Sequence, residues 1–195
     1  MLLIARLSRN LLLASFVSSL SLSAAATILT PSQVTLLNVA KMTGALISHP
    51  ETIQALLLVE SSAGIGGRIG DDGRSLGVMQ MKPATAMYVT AKYKWLPKLK
   101  DEAAYAARLL TDDAYAILLG TLYFKECIKR HVLWSKAVVC YNVGLAGNVN
   151  ATKYLTKIRK QIEVLRNHER EASKASAKAH ASPISRTASS RIQAG

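Results

Sequence analysis

Glu60 is the acidic residue of this 195-residue sequence whose position best suits proton transfer. With Ile53, Leu56 and Leu57 it falls at the spacing i, i+3, i+4 and i+7, which places one carboxylate on the apolar face of a helix. Burial disfavours the charged form of a carboxyl group and raises its pKa, so that the group can donate a proton near neutral pH. The spacing fits a buried general acid, or a glutamate at a frayed helix end that faces water.

The two cysteines, Cys127 and Cys140, and the four scattered histidines lack the spacing of zinc ligands. The sequence therefore predicts no metal site and no cofactor. The cysteines are equidistant from a helix connection near residues 131–133, so an antiparallel pair of helices would bring them face to face. A disulfide is expected if the chain is exported to an oxidising compartment, and two buried free thiols are the alternative.

Residues 1–26 have the pattern of a secretory signal peptide. Arg6 and Arg9 provide the positive start, a leucine-rich stretch follows, and three alanines ending at Ala26 suit a signal peptidase. The apolar stretch is short for an uncleaved membrane anchor, which is the alternative. We expect cleavage after Ala26 and a location in the periplasm or cell envelope.

The formal net charge of +13 and a pI near 10.0 indicate an anionic partner, although nucleic acid, a membrane surface and an acidic cell-wall polymer all fit. Residues 168–195 consist mostly of Ala, Ser, Lys, Arg and His, with almost no large apolar residue. Such a composition predicts a disordered basic tail, acting as an electrostatic tether or only as a solubilising segment.

Helical periodicity dominates residues 27–167, so the predicted fold class is a mainly α domain. The segment from Ser62 to Ser75 holds five glycines and predicts a loop or a short β-hairpin. A long helix after Thr111 is apolar nearly all round and should lie at the centre of the fold. The other predicted helices start at Pro31, run from Pro50 to about Ser61, start at Pro83, include 134–142, and span about Asn150 to Arg166.

Four short motifs follow one another along the chain: Glu60-Ser61, Gly77-Val78-Met79-Gln80 with Pro83 and Thr85-Ala86 after it, Tyr141-Asn142-Val143-Gly144, and Tyr154. In this order they resemble the motifs of soluble lytic transglycosylases, the goose-lysozyme-like enzymes of glycoside hydrolase family 23. The resemblance covers about residues 50–160. It departs from the family pattern in the run from 62 to 67 that follows Glu60-Ser61.

The resemblance implies a lysozyme-like helical fold with a groove for a peptidoglycan strand. It implies cleavage of the β-1,4 bond between N-acetylmuramic acid and N-acetylglucosamine, leaving a 1,6-anhydro end. In this scheme Glu60 first protonates the leaving oxygen and then takes the proton of the muramoyl C6 hydroxyl. One group can serve both steps, because the first step leaves it in the state that the second requires.

The resemblance also implies a set of substrate-binding residues around Glu60: Ser61, Ser75, Met79, Gln80, Tyr141, Asn142 and Tyr154. Met79 and Tyr141 have an alternative role in the core, and Ser61 has one as an ordinary helix-end serine. Tyr154 would place its phenol near Glu60 and influence its protonation, although a core tyrosine would look the same in the sequence.

Three alternatives stay open at this stage. A lysozyme-type hydrolase that uses water needs a second carboxylate at a defined separation, and Asp71 and Asp72 are the next acids after Glu60. A catalytically inactive peptidoglycan-binding protein is the second. A nucleic-acid binder is the third, but no recognition motif supports it. The expected partner of a monomeric enzyme is the glycan strand, and small members of this family often serve secretion or conjugation machinery.

Overall fold

The computed structural model describes residues 29–148 and 152–181, so the predicted signal peptide at 1–26 lies outside the described part. The described chain is mainly helical, as predicted, with one small antiparallel sheet. Its elements are α1 (Pro31–Ala45), α2 (Pro50–Ser61), β1 (Ile69–Gly70), a 3-10 turn (Asp71–Gly73), β2 (Ser75–Leu76), α3 (Pro83–Lys92), α4 (Glu102–Thr111), α5 (Asp113–Arg130), α6 (Trp134–Val143) and α7 (Thr152–Ala181).

Local sequence explains where the main helices begin. Proline occupies the first turn of α1, α2 and α3, where its missing N–H costs nothing. Thr30 and Gln33 form a capping box at the start of α1. Asp112 caps α5 by accepting a hydrogen bond of 2.9 Å from the amide of Tyr115. These helix starts lie where the proline and cap residues predict them.

Helix α5 is the centre of the core, as its sequence predicts. It packs against α1, α2, α3, α4 and α6. Its side chains Ile117, Leu119 and Phe124 are fully buried, and each such burial stabilises the fold by about 2–3 kcal/mol. The apolar face of α2 packs on α1, α5 and α7, with Ile53 and Leu56 fully buried. The helix that carries Glu60 is therefore fixed on three sides.

The glycine-rich segment, predicted as a loop or a short β-hairpin, forms the hairpin, with Ile69 opposite Leu76. Its turn requires left-handed backbone at Asp71 and Asp72, with φ of 48° and 55°. Arg68 anchors the hairpin to the junction between α4 and α5. Its guanidinium forms a two-pronged ion pair with Asp113 and donates to the carbonyl of Leu110 at 3.2 Å. The hairpin is therefore held in one position beside α5.

Two features differ from the sequence-based expectation. Helix α4 was not predicted; Asp101 caps it, and Tyr105 and Leu109 bury its apolar face. The predicted tail at 168–195 is also wrong in part, because α7 continues to Ala181. Residues 168–181 are rich in Ala, Lys, Arg and Glu, which favour helix without needing burial. An ion pair between Lys41 and Glu169, at 2.6 Å, ties this extension to α1.

A disulfide joins Cys127 near the end of α5 to Cys140 in α6, with their Cα atoms 5.8 Å apart. That separation is ordinary for a disulfide. The disulfide therefore cross-links α5 and α6 next to the turn at residues 131–133 that connects them. No helix within the described residues has the length and apolarity needed to cross a membrane.

Candidate active site

A cavity of about 150 Å³ opens where the C-terminal end of α2 meets the hairpin, the start of α3 and the end of α6. It brings together residues that are distant in the sequence, and it contains five of the eight predicted site residues. The lining residues are Glu60, Asp71, Ser75, Gln80, Met81, Lys82, Thr85, Tyr123, Tyr141, Asn142, Val143 and Gly144.

Glu60 reaches this cavity because α2 ends directly after it. Ser62 and Ala63 both adopt left-handed backbone, with φ of 52° and 54°. Their amides donate to the carbonyls of the preceding turn, which closes the helix. The side chain of Gln33 holds this end by donating to the carbonyl of Ser62 at 2.9 Å. The carboxylate of Glu60 is thus presented at a rigid helix end, next to open space.

The surroundings of Glu60 favour its neutral form. Burial raises the pKa of Glu60 from its ordinary value of 4.5 to about 7, and nearby Asp71 acts in the same direction. A hydrogen bond from the Tyr154 hydroxyl and the charge of Lys157 act to lower this pKa, but burial outweighs both. Glu60 forms no ion pair with any residue that the structure describes. Near neutral pH the group can therefore give up a proton or accept one.

The aromatic residues of the site remain uncharged. Tyr154, in the first turn of α7, has a raised pKa because it is buried and lies beside Glu60. Tyr141 is buried, and its hydroxyl donates to the backbone carbonyl of Met79 at 3.0 Å. Burial, Glu60 and Tyr123 together raise the pKa of Tyr141 well above its usual range. Neutral phenols thus lie beside the Glu60 carboxyl group, and no cation is paired with it in the described part of the chain.

Ser75 and Asp71 form a second polar pair in the cavity. The buried Ser75 hydroxyl donates to Asp71 Oδ2 at 2.9 Å. Asp71 lines the same cavity as Glu60 and raises its pKa. The predicted site residue Ser75 therefore orients a second carboxylate, which sequence spacing alone could not place.

Gln80 and Asn142 both line the cavity but offer different groups. Gln80 has a left-handed backbone with φ of 47°, and its amide donates to the carbonyls of Gly67 at 3.2 Å and Gly77 at 2.9 Å. Both of its N–H groups are thus used within the hairpin. Asn142 is exposed, and its side chain hydrogen-bonds to nothing else in the described part of the chain. Of these two side chains, Asn142 is consequently the one with N–H groups available to a ligand.

Two of the predicted site residues, Ser61 and Met79, do not line the cavity. Ser61 is buried; its hydroxyl donates to the Leu57 carbonyl at 3.3 Å and accepts from the Gly64 amide at 3.0 Å. It caps the end of α2 and does not line the cavity. Met79 is fully buried and packs against Gly120 of α5, so it belongs to the core. Both residues therefore lie behind the cavity surface and support it through the end of α2 and through α5.

Sequence reasoning missed Lys82 and Tyr123, and it quoted Thr85 only as part of a motif. Lys82 precedes the first turn of α3 and is exposed at the cavity. Tyr123 is buried on α5, with its ring centroid 5.6 Å from that of Tyr141. A tyrosine within an otherwise apolar helix was the available indication for Tyr123. Lys82 offered no indication, because only the packing of α3 brings it to the cavity.

No group of three or more His, Cys, Asp or Glu side chains within residues 29–148 and 152–181 is arranged to hold a metal ion. Residues 39–164 match the family model described as the transglycosylase SLT domain, which covers more than half of the chain and includes the whole cavity. No curated protein matches the sequence at a significant level.

Proposed function

The chain belongs to the transglycosylase SLT domain family, and we propose that Glu60 is its catalytic acid and base. The activity of this family is lytic transglycosylation of peptidoglycan. The bond cleaved is the β-1,4 linkage between N-acetylmuramic acid and N-acetylglucosamine. The product is a 1,6-anhydromuramoyl end. The observation that carries the proposal is a single carboxyl group with a pKa raised to about 7, facing a cavity without a cation paired to it.

In the first step, protonated Glu60 donates its proton to the glycosidic oxygen as the bond from this oxygen to C1 breaks. In the second step the muramoyl C6 hydroxyl attacks C1, and its proton passes to the Glu60 carboxylate. The enzyme therefore returns to its starting protonation state without water as a reactant. A pKa near the operating pH suits a group that must perform both transfers. The hydrogen bond from Tyr154 stabilises the carboxylate between the two steps.

A second candidate function is hydrolysis, which the position of Asp71 supports. Asp71 lines the cavity that holds Glu60, so two carboxylates face the same space. A second carboxylate can activate a water molecule for attack on C1, as in ordinary glycosidases. Ser75 already holds the Asp71 carboxylate at 2.9 Å, so the group is fixed in position. The two reactions differ only in whether water or the C6 hydroxyl attacks.

Product analysis separates these possibilities. Purified sacculi are incubated with the protein, and the released muropeptides are identified by mass spectrometry. Anhydro ends, lighter by one water than reducing ends, are expected, and Asp71→Asn should leave them as the product. Reducing ends that disappear in Asp71→Asn would establish the hydrolase instead. Binding to sacculi without any product would support the inactive glycan-binding protein.

Export is part of the proposal and rests on the leader sequence at 1–26. The mature protein would act as a monomer in the periplasm or cell envelope, where its substrate lies. Cell fractionation followed by intact-mass measurement tests this, with a mass corresponding to cleavage after Ala26 expected. A role beside secretion or conjugation machinery stays a prediction from the family resemblance.

A further inference from the structure

A second and larger cavity lies at the other end of α2, away from Glu60. This groove has a volume of about 780 Å³ and runs between the first turn of α2, Trp134 at the start of α6, and one face of α7. The reaction proposed above uses none of its side chains. We call it the α2–α7 groove.

Three arginines form one wall of the α2–α7 groove. Arg159, Arg166 and Arg170 are seven and four residues apart, so they share one face of α7. Arg166 is paired with Glu51 at 2.6 Å. Arg159 and Arg170 form no ion pair in the described part of the chain, and the remaining acid in the groove, Glu163, forms none either. The wall therefore keeps a net positive charge.

An apolar edge adjoins this wall. Trp134 lines the groove and is fixed there, because its indole N–H donates to the Thr52 hydroxyl at 3.1 Å. Val132 and Leu133 directly precede it and are 98% and 58% exposed. Val132 and Leu133 lie in the turn between α5 and α6, and the disulfide between Cys127 and Cys140 joins these two helices on either side of that turn. The exposed apolar side chains are thus presented on a constrained turn.

We propose that the α2–α7 groove and its apolar edge bind an acidic, amphipathic segment of a partner protein. Tryptophan and arginine are the residues that most often dominate binding at protein interfaces. Exposed apolar residues bordered by charge are typical of an interaction site. The chain's own last residues, 182–195, are a poor occupant, because they contain Arg186 and Arg191 and no acidic residue. Carboxylates would pair with Arg159 and Arg170, and apolar side chains would cover Leu133.

Fluorescence anisotropy with the full mature protein tests the proposal. The probe is a short fluorescein-labelled peptide of glutamate and leucine with helical spacing. Two further probes replace its glutamates by glutamine or its leucines by serine. The first peptide should bind, and each replacement should weaken binding about tenfold. The absence of binding by the first peptide would overturn the proposal, and so would equal binding by all three.

Matched variants locate the binding on the surface. The double variant Arg159→Gln/Arg170→Gln should reduce affinity about tenfold, and Leu133→Ser should also weaken it. The control Lys98→Gln/Lys100→Gln removes the same charge from the segment between α3 and α4 and should leave affinity unchanged. Circular dichroism checks that each variant is folded. An equal loss in the control, or equally tight binding of anionic vesicles or DNA, would show general attraction to anions and overturn the proposal. Loss of enzyme activity alone would bear on the proposed function and leave this test intact.

Discussion

Helix α2 contacts α7 through a glutamate at each of its ends, and the two glutamates have opposite properties. Glu51, in the first turn, is paired with Arg166 and its pKa is lowered by that hydrogen-bonded pair. Glu60, at the last turn, meets the phenol of Tyr154 and its pKa is raised to about 7 by burial. The same residue type on the same pair of helices is thus an ion-pair partner at one end and a proton carrier at the other.

Glu126 shows which factor decides between these outcomes. It is only 5% exposed, and burial acts to raise its pKa. Hydrogen bonds from Lys129 and Tyr93 outweigh burial, and the pKa of Glu126 is lowered. Burial therefore does not create a proton donor on its own. The absence of a paired cation is also required: Lys129 pairs with Glu126, whereas no cation pairs with Glu60 in the described part of the chain.

The largest expected difference between the two ends of α2 is in turnover. Glu60→Gln keeps the shape of the side chain but cannot donate or accept the proton, so release of muropeptides from sacculi should fall about 10²–10⁴-fold. Glu51→Gln is the matched control at the other end of the helix and should retain activity. Comparable rates for Glu60→Gln and wild type would remove Glu60 from the mechanism.

The next largest difference is in the pH dependence of stability. The pKa of Glu60 is about 7 in the folded protein against an ordinary value of 4.5, so the folded state holds this proton more tightly. Protonated Glu60 contributes about 3 kcal/mol to the free energy of unfolding. This contribution is fully present below about pH 4.5 and is lost as the pH rises through about 7. Glu60→Gln abolishes this loss.

Urea unfolding of both proteins measures the effect. Above pH 7 Glu60→Gln should be more stable than wild type by about 3 kcal/mol, and below pH 4.5 the two should unfold alike. Parallel curves at all pH values would mean that the carboxyl group is not buried. Such a gain in stability on loss of activity is the usual property of a site that is strained for function.

The sequence was sufficient to predict the position of Glu60, because helical spacing relative to Ile53 and Leu56 depends only on local geometry. It also predicted the central place of α5, and it left open whether the glycine-rich segment is a loop or a hairpin. The extension of α7 does not follow from hydrophobicity, because alanine and charged residues with long side chains favour helix even where few apolar residues are present.

The remaining features of the site depend on contacts between distant segments. The cap formed by Ser61 follows from left-handed backbone at Ser62. This conformation cannot be predicted from the sequence, because residues other than glycine rarely adopt it. Tyr123 and Lys82 reach the cavity only through the packing of α5 and α3. Motif order could identify residues that lie near Glu60, but it could not tell which of them face the cavity.

A smaller effect is expected from Tyr154→Phe, which removes the hydrogen bond from the Tyr154 hydroxyl to the Glu60 carboxylate. The Tyr154 hydrogen bond acts to lower the pKa of Glu60, so its removal should raise that pKa further above 7. The fall of kcat/KM at high pH, expected near pH 7 in wild type because the acid must be protonated, should move to higher pH. The maximal rate should drop about tenfold, because the second step needs a stabilised carboxylate. A downward shift of the profile, or none, would contradict this role.

The smallest effect is expected at the other end, from Glu51→Gln. The pKa of Glu51 is lowered, so its pairing with Arg166 stabilises the fold above pH 4.5 and is lost as pH falls through the lowered pKa. Because the pair is exposed, Glu51→Gln should lower the thermal midpoint only slightly at neutral pH, and the difference should vanish in acid. Differential scanning fluorimetry across pH measures this, with Arg166→Gln expected to behave in the same way. If either variant instead shifted the kcat/KM profile, the Arg166 pairing would be setting the position of Tyr154 along α7, and the two ends of α2 would form one coupled site instead of two independent ones.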